Sequence, residues 1–161
     1  MVDQLANNEV FVFGSNGTGF HGAGGAGLAC RGESANTWRN DPWFQKAMKA
    51  PPGSSARVGK WAVYGVPRGF QQGREGKSYA VQTVTHPGRK RSISLDEIYA
   101  QLVELWGFAK AHDGLHFLMT PIGEGYAGYT HGDMQDLYRR LEKAHGTPSN
   151  IHFVRSVENL T

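Results

Sequence analysis

The stretch EVFVFGSNGTGFHGAGGAGLA, residues 9–29, decides the fold. Its VFVF core at 10–13 is apolar at every position, as a strand buried on both faces requires. GSNGTG then breaks the strand. Residues 19–29 hold five glycines and three alanines in eleven positions, and their only large side chains are Phe20, His21 and Leu28. The segment from Ala23 to about Arg31 reads as a short helix entered through glycines. So little side chain directly after a buried strand lets another group approach the backbone: a phosphate, a packed helix, or a turn.

Strand and helix patterns alternate along the rest of the chain. NDPWFQKAMKA begins a second helix, with Asp41 as its cap and Pro42 in its first turn. KWAVYGV (60–66) and SYAVQTVT (78–85) read as strands, joined by PRGFQQGREGK, a Gly- and Arg-rich connection long enough to be a functional loop. SISLDEIYAQLVELWGFAKAHDG is the clearest helix. Ser94 and Glu97 form its capping box, Leu95, Ile98, Leu102, Leu105 and Ala109 recur at helical spacing, and Gly114 stops it. HFLMTPI (116–122) is a further buried strand, followed by GEGYAGY. DMQDLYRRLEKAHG carries Met134, Leu137, Leu141 and Ala144 on one helical face, and IHFVRS (151–156) is a last strand. The alternation predicts a three-layer α/β/α fold with a central mixed, mostly parallel sheet, in a single domain over 1–161. Ligands of such sheets bind at the carboxyl ends of the strands. The two Gly-rich loops, 14–27 and 123–128, both follow buried strands and belong at that edge.

Composition narrows the class. The 161 residues, 39% hydrophobic and 19% charged, suit a folded globular chain. The 22 glycines exceed the usual share of about 7% and cluster at 14–32, 65–76 and 123–128. A formal charge of +3 mildly favours anionic partners. The basic residues are dispersed apart from GRKR at 88–91, which gives nucleic-acid binding only weak support. A single cysteine, Cys30, excludes an internal disulfide framework. It reads as a packing residue and fits a reducing cytoplasm. No run approaches the roughly 18 apolar residues of a spanning helix, so no membrane partner is expected. Trp38, Trp43 and Phe44 read equally as core or as a partner surface.

Several motifs are rejected on context. G-x-G-x-x-G occurs twice (Gly17, Gly19, Gly22 and Gly22, Gly24, Gly27), but the glycines start late and no second strand with an acidic end follows. GREGKS at 73–78 has Gln71 where a P-loop needs glycine, and a strand follows it instead of a helix. None of the seven histidines has metal-ligand spacing, so no metal is expected. His21 is set apart by its place inside the loop. It either anchors the loop through a hydrogen bond or meets a phosphate or a reacting water. In PIGEGYAGYT (121–130), Gly123, Gly125 and Gly128 leave successive N–H groups free, and such a nest binds anions. Tyr126 and Tyr129 are placed to stack on a sugar or base. Two such loops at one sheet edge make a diphosphate clamp of backbone amides.

With these motifs in place, the chain resembles the macrodomain superfamily of ADP-ribose-binding modules over most of its length. FVFGSN resembles the family's strand ending in Asn, GFHGAGGAGLA its first glycine-rich loop, GKSYAVQTVT its following core strand, and LHFLMTPIGEGYAGYT its second phosphate loop, with the Ile-x-x-Gly-x-x-Gly core at Ile122, Gly125 and Gly128. HGAGGA, GKSYAVQT and IGEGYAGY are similar to a compact phage and bacterial group. The resemblance implies that Asn16 lies near the distal ribose and that Gly22, Ala23, Gly24 and Gly25 line the diphosphate. Gly123, Glu124, Gly125, Tyr126, Ala127 and Gly128 would wrap the phosphates. Gly14, Ser15, Phe20, Ile122 and Tyr129 complete the expected binding set. The family's adenine-reading Asp has no counterpart at its usual spacing, because Asp3 is too close to Asn16. The acidic signature of the poly-ADP-ribose glycohydrolase branch is absent.

Two activities follow from the resemblance. One is an ADP-ribosyl hydrolase in which Asn16 orients the ribose, His21 positions or activates water, and Glu124 serves as acid or base. The other is a non-catalytic reader or sponge for ADP-ribose or another NAD-derived nucleotide, free or on a macromolecule, with no further cofactor. Outside the resemblance, PRGFQQGREGK and GRKR point to single-stranded nucleic acid.

Overall fold

In the computed structural model, residues 4–154 are described. Asp3 and the last two residues of the expected strand 151–156 lie outside that range. The elements in chain order are β1 (Glu9–Asn16), α1 (Gly24–Arg31), α2 (Pro42–Lys49), β2 (Gly69–Gln72), β3 (Lys77–Val84), α3 (Leu95–Ala111), β4 (His116–Met119), α4 (His131–His145) and β5 (Ile151–Phe153). Short 3-10 turns lie at Trp38–Asn40, Ser55–Arg57 and Gly125–Ala127.

The VFVF run sits at the centre of the sheet, and alternation sorts its side chains. Val10 and Val12 join Tyr79 and Val81 of β3 and Phe117 and Met119 of β4 on one face, under Ile98, Leu102 and Leu105 of α3 and Met134, Leu137 and Leu141 of α4. Phe11 and Phe13 join Ala80 on the other face, under Ala26, Leu28, Ala29 and Cys30 of α1. Every position of the run is fully buried, because both faces are covered. The strand order is β2-β3-β1-β4-β5. β3, β1, β4 and β5 run parallel, and only β2 at the edge is antiparallel. This is the mixed, mostly parallel α/β sheet that the sequence predicts.

Chain direction places the site. β1 feeds α1 on one face of the sheet, whereas its neighbours β3 and β4 feed α3 and α4 on the other. Adjacent strands whose connections leave on opposite faces open a crevice at their carboxyl ends. At that end the β1–β3 register also shifts between Ser15 and Asn16.

The helix ends follow local chemistry. Asp41 caps α2 by accepting from Phe44 N–H at 3.0 Å, with Pro42 in the first turn. Ser94 Oγ accepts from Glu97 N–H at 3.1 Å at the start of α3, but the Glu97 carboxylate turns to Arg68 at 2.8 Å instead of closing the box. The reciprocal box belongs to α4, between Thr130 and Asp133, which starts that helix two residues before the sequence reading.

One strand expectation is overturned. KWAVYGV (60–66) is a series of turns, and the partner of β3 is β2, inside the connection read as a loop. The apolar residues of 60–66 serve another end. Trp61 and Ala62 fill the core beneath α1, and the N–H groups of Lys60, Trp61 and Ala62 donate to the Cys30 and Ala29 carbonyls at 2.7–3.0 Å. The segment thus satisfies the carboxyl end of a helix. Buried Gln71 of β2 ties it to the sheet, accepting from Val63 N–H at 2.7 Å and donating to Val66 O at 2.9 Å.

Candidate functional site

A cleft of about 390 Å³ lies at the crevice between β1 and β3. Its floor is the end of β1, with Gly14, Ser15 and Asn16, beside Thr83 and Val84 of β3. Phe20, Gly22, Ala23 and Ala26 bring the first Gly-rich loop and the start of α1 to one side, and Tyr126 and Ala127 bring in the second loop. The two loops meet at the mouth, where a Cβ on Gly24 would stand 3.5 Å from the Tyr126 ring. The Tyr126 side of this junction is open to solvent, at 72% exposure.

The far wall is Asn36, Trp38 and Arg39, and a third rim is Pro87 and Gly88. The Trp38 indole stands edge-on to Phe20 at 4.9 Å, and the Arg39 guanidinium lies 4.3 Å over the Trp38 ring. Among the described residues Arg39 pairs with no carboxylate, and it is the one charged side chain in the lining.

The backbone adds donors. Ala23 is the N-cap of α1 and supplies no side-chain cap. Gly24 N–H is taken by Ser34 O at 2.8 Å and Gly27 N–H by Ala23 O at 2.9 Å. The N–H groups of Gly25 and Ala26 have no acceptor among the described residues, nor have those of Gly125 and Tyr126. A helix start with free amides carries partial positive charge.

Asn16 lines the cleft, but its amide is largely occupied by the turn that follows. Oδ1 accepts from Thr18 N–H at 3.1 Å and Phe20 N–H at 3.2 Å, and Nδ2 donates to Phe20 O at 2.8 Å. It shapes the loop and leaves one N–H available.

His21 stands apart from the lining. Its ring is fully buried, edge-on to Phe13 at 5.3 Å, with Nε2 2.9 Å from Val66 O and Nδ1 without a partner among the described residues. Burial pushes its pKa down to about 4. It is therefore neutral, with Nε2 donating to Val66 O. Of the two sequence readings, the loop anchor is the one this placement fits, and contact with a reacting water is not.

Glu124 also faces away from the cleft. It lines a second cavity, of about 500 Å³, with His131, Gln135 and Tyr138, and its carboxylate lies 3.3 Å from His131 Nδ1. The loop 123–128 is thus a partition, with Tyr126 and Ala127 on one side and Glu124 on the other. Ile122 is core, Gly123 packs against Met134, and Tyr129 Oη donates to Ile93 O at 2.6 Å. Gly24, Gly25, Gly125 and Gly128 shape the two loops without forming the lining.

Arg31 was not a candidate in the sequence, yet it holds the site together. Its guanidinium, on a side chain only 3% exposed, donates to Gly22 O at 2.8 Å, to Thr37 Oγ1 at 3.1 Å and to Ala35 O, and it pairs with Asp41 at 3.3 Å. One cation thereby joins the first loop, the far wall and α2.

Fold and site together define an architectural class: a mixed α/β fold with a cleft where the connections of a mostly parallel sheet diverge. No family model, no curated protein and no solved structure matches the chain.

Proposed function

We propose that the cleft binds a nucleoside diphosphate of the ADP-ribose type, as a macrodomain-like module. The observation that carries this reading is the uncapped start of α1, with free amides at Gly25 and Ala26, beside a cleft whose single charged lining side chain among the described residues is Arg39. Free amides at a helix start suit a phosphate. Arg39 suits a second phosphate, and Trp38 and Phe20 offer faces and edges to a base or ribose.

The lining favours capture over hydrolysis. Among the described residues it holds no carboxylate, imidazole or thiol. Asn16 is committed to its turn, His21 is buried and neutral, and Glu124 lies across the partition. The reading is therefore a reader or sponge for ADP-ribose or a related NAD-derived nucleotide.

Calorimetric titration with ADP-ribose, and with AMP and NAD as controls, tests this directly. Micromolar binding of ADP-ribose, no turnover of an ADP-ribosylated peptide, and loss of binding in Gly24→Glu are expected, with circular dichroism confirming that the variant folds. No heat with any of the three ligands refutes the reading, and turnover refutes the capture role.

A further inference from the structure

The GRKR run at 88–91 is the chain's one basic cluster, and the fold delivers it to the cleft. A basic run on a loop is ordinarily a solvated surface. Three observations set this one apart. The first is position: Gly88 and Pro87 form part of the cleft rim.

The second is fixation against the other loop of the site. Arg91 N–H donates to Ala127 O at 2.7 Å, Arg91 Nε donates to Gly128 O at 3.2 Å, and the Lys90 stem packs on Gly128. The turn is also closed on itself. Arg89 N–H donates to His86 O at 3.1 Å, and Ser92 Oγ accepts from Thr85 N–H at 2.8 Å while donating to Arg89 O. Arg91 adopts φ +54°, the one positive value outside glycine among the described residues. Such a conformation persists where the surroundings impose it.

The third observation is that Arg89 and Lys90 are exposed and pair with no carboxylate among the described residues. Two cations without a carboxylate partner therefore directly follow the rim residue Gly88 in a fixed turn, and the exposed Tyr126 ring stands on the loop that anchors that turn.

We infer that the nucleotide in the cleft is carried on a single nucleic-acid strand, whose adjoining phosphates run over Arg89 and Lys90 and whose neighbouring base stacks on Tyr126. Fixed cations beside an exposed aromatic ring are what a single strand requires, since phosphates follow the charge and any base offers a stacking face. An acidic peptide would use the cations but not the ring. This inference rests on the proposed function of the cleft and specifies the substrate class.

The test compares three probes: ADP-ribose, a single strand of about twelve nucleotides, and the same strand with one ADP-ribosyl group on its terminal phosphate. The modified strand should bind about tenfold more tightly than ADP-ribose. In Arg89→Gln/Lys90→Gln that gain should vanish while ADP-ribose affinity stays unchanged. The log–log salt slope for the modified strand should fall by about 1.4, or about 0.7 for each phosphate no longer neutralised. Tyr126→Ala should weaken the strand more than a poly-glutamate competitor.

Equal affinity of ADP-ribose and the modified strand overturns the inference, as does a double variant that binds the strand unchanged. Displacement by poly-glutamate that is indifferent to Tyr126 overturns the choice of nucleic acid. Absence of ADP-ribose binding, with strand binding still dependent on Arg89 and Lys90, refutes the cleft reading and leaves the rim site supported.

Discussion

Ala23→Asp should raise the stability of the protein and abolish the ADP-ribose binding proposed for the cleft. Ala23 is the N-cap of α1, with φ −146° and ψ 175°, the extended conformation in which an aspartate reaches back to the first helical turn. No side chain now caps that turn, and the Gly25 and Ala26 amides have no acceptor among the described residues. An aspartate there would accept from both of them and place a negative charge at the positive end of the helix. Replacing an alanine cap by aspartate stabilises by about 1 kcal/mol. A favourable charge at a helix end adds about 0.5 kcal/mol.

The same carboxylate occupies the donors proposed for a phosphate and adds like charge to the cleft. Losing two charge-assisted hydrogen bonds of roughly 2 kcal/mol each corresponds to about a thousandfold weaker binding. Urea denaturation and calorimetric titration of the two proteins measure the two effects. A more stable variant that binds ADP-ribose unchanged would show that the amides of α1 are not the anion site. A variant with unchanged stability would refute the reading of an unmet helix start.

Three further predictions concern the frame. His21 has a folded pKa of about 4 against 6.5 in the unfolded chain, so unfolding takes up a proton as the pH falls between those values. Stability should drop by about 2 kcal/mol by pH 5 and about 3 kcal/mol by pH 4. Carboxylates titrate over the same range, so the informative quantity is the difference between wild type and His21→Gln; a difference independent of pH would count against burial of a neutral imidazole. Arg31→Met should destabilise by about 3 kcal/mol, because it leaves Asp41 with its Phe44 N–H but without its cation and frees the Gly22 and Ala35 carbonyls; thermal melts within a few degrees of wild type would contradict this. Cys30, buried with its thiol pushed up to about 12, should resist an aromatic disulfide reagent at pH 8 until denaturant is added. Prompt labelling of the native protein would refute that.

The parts of the fold with one dominant signal were legible in the sequence. VFVF has no polar residue, so it had to be a central strand. α3 and α4 each repeat apolar residues at helical spacing, and Asp41-Pro42 announces α2. Both Gly-rich loops lie at one sheet edge as expected, because each follows a parallel strand.

Periodicity could not say what an apolar run packs against. KWAVYGV looks like a strand because Trp61 and Ala62 are core residues, but its backbone serves the end of α1, and the strand role passes to GFQQ, whose single buried side chain, Gln71, is polar. The far wall was illegible for a related reason. Asn36, Trp38 and Arg39 reach the cleft in a segment that Arg31, at the far end of α1, ties back to Gly22 through Ala35 and Thr37, and no motif marks that role. His21 and Glu124 have the residue types that catalysis uses, but side-chain direction sends one into the core and the other across the partition.

The placement of Trp38 also gives the molecule an optical property. Of four tryptophans, Trp61 and Trp106 are fully buried in the two cores and Trp43 packs against one of them, whereas Trp38 lines the cleft. A base or ribose settling in the cleft, as proposed, would change the surroundings of that indole and leave the cores undisturbed. The emission of the native chain therefore carries a built-in reporter of occupancy, readable without any label.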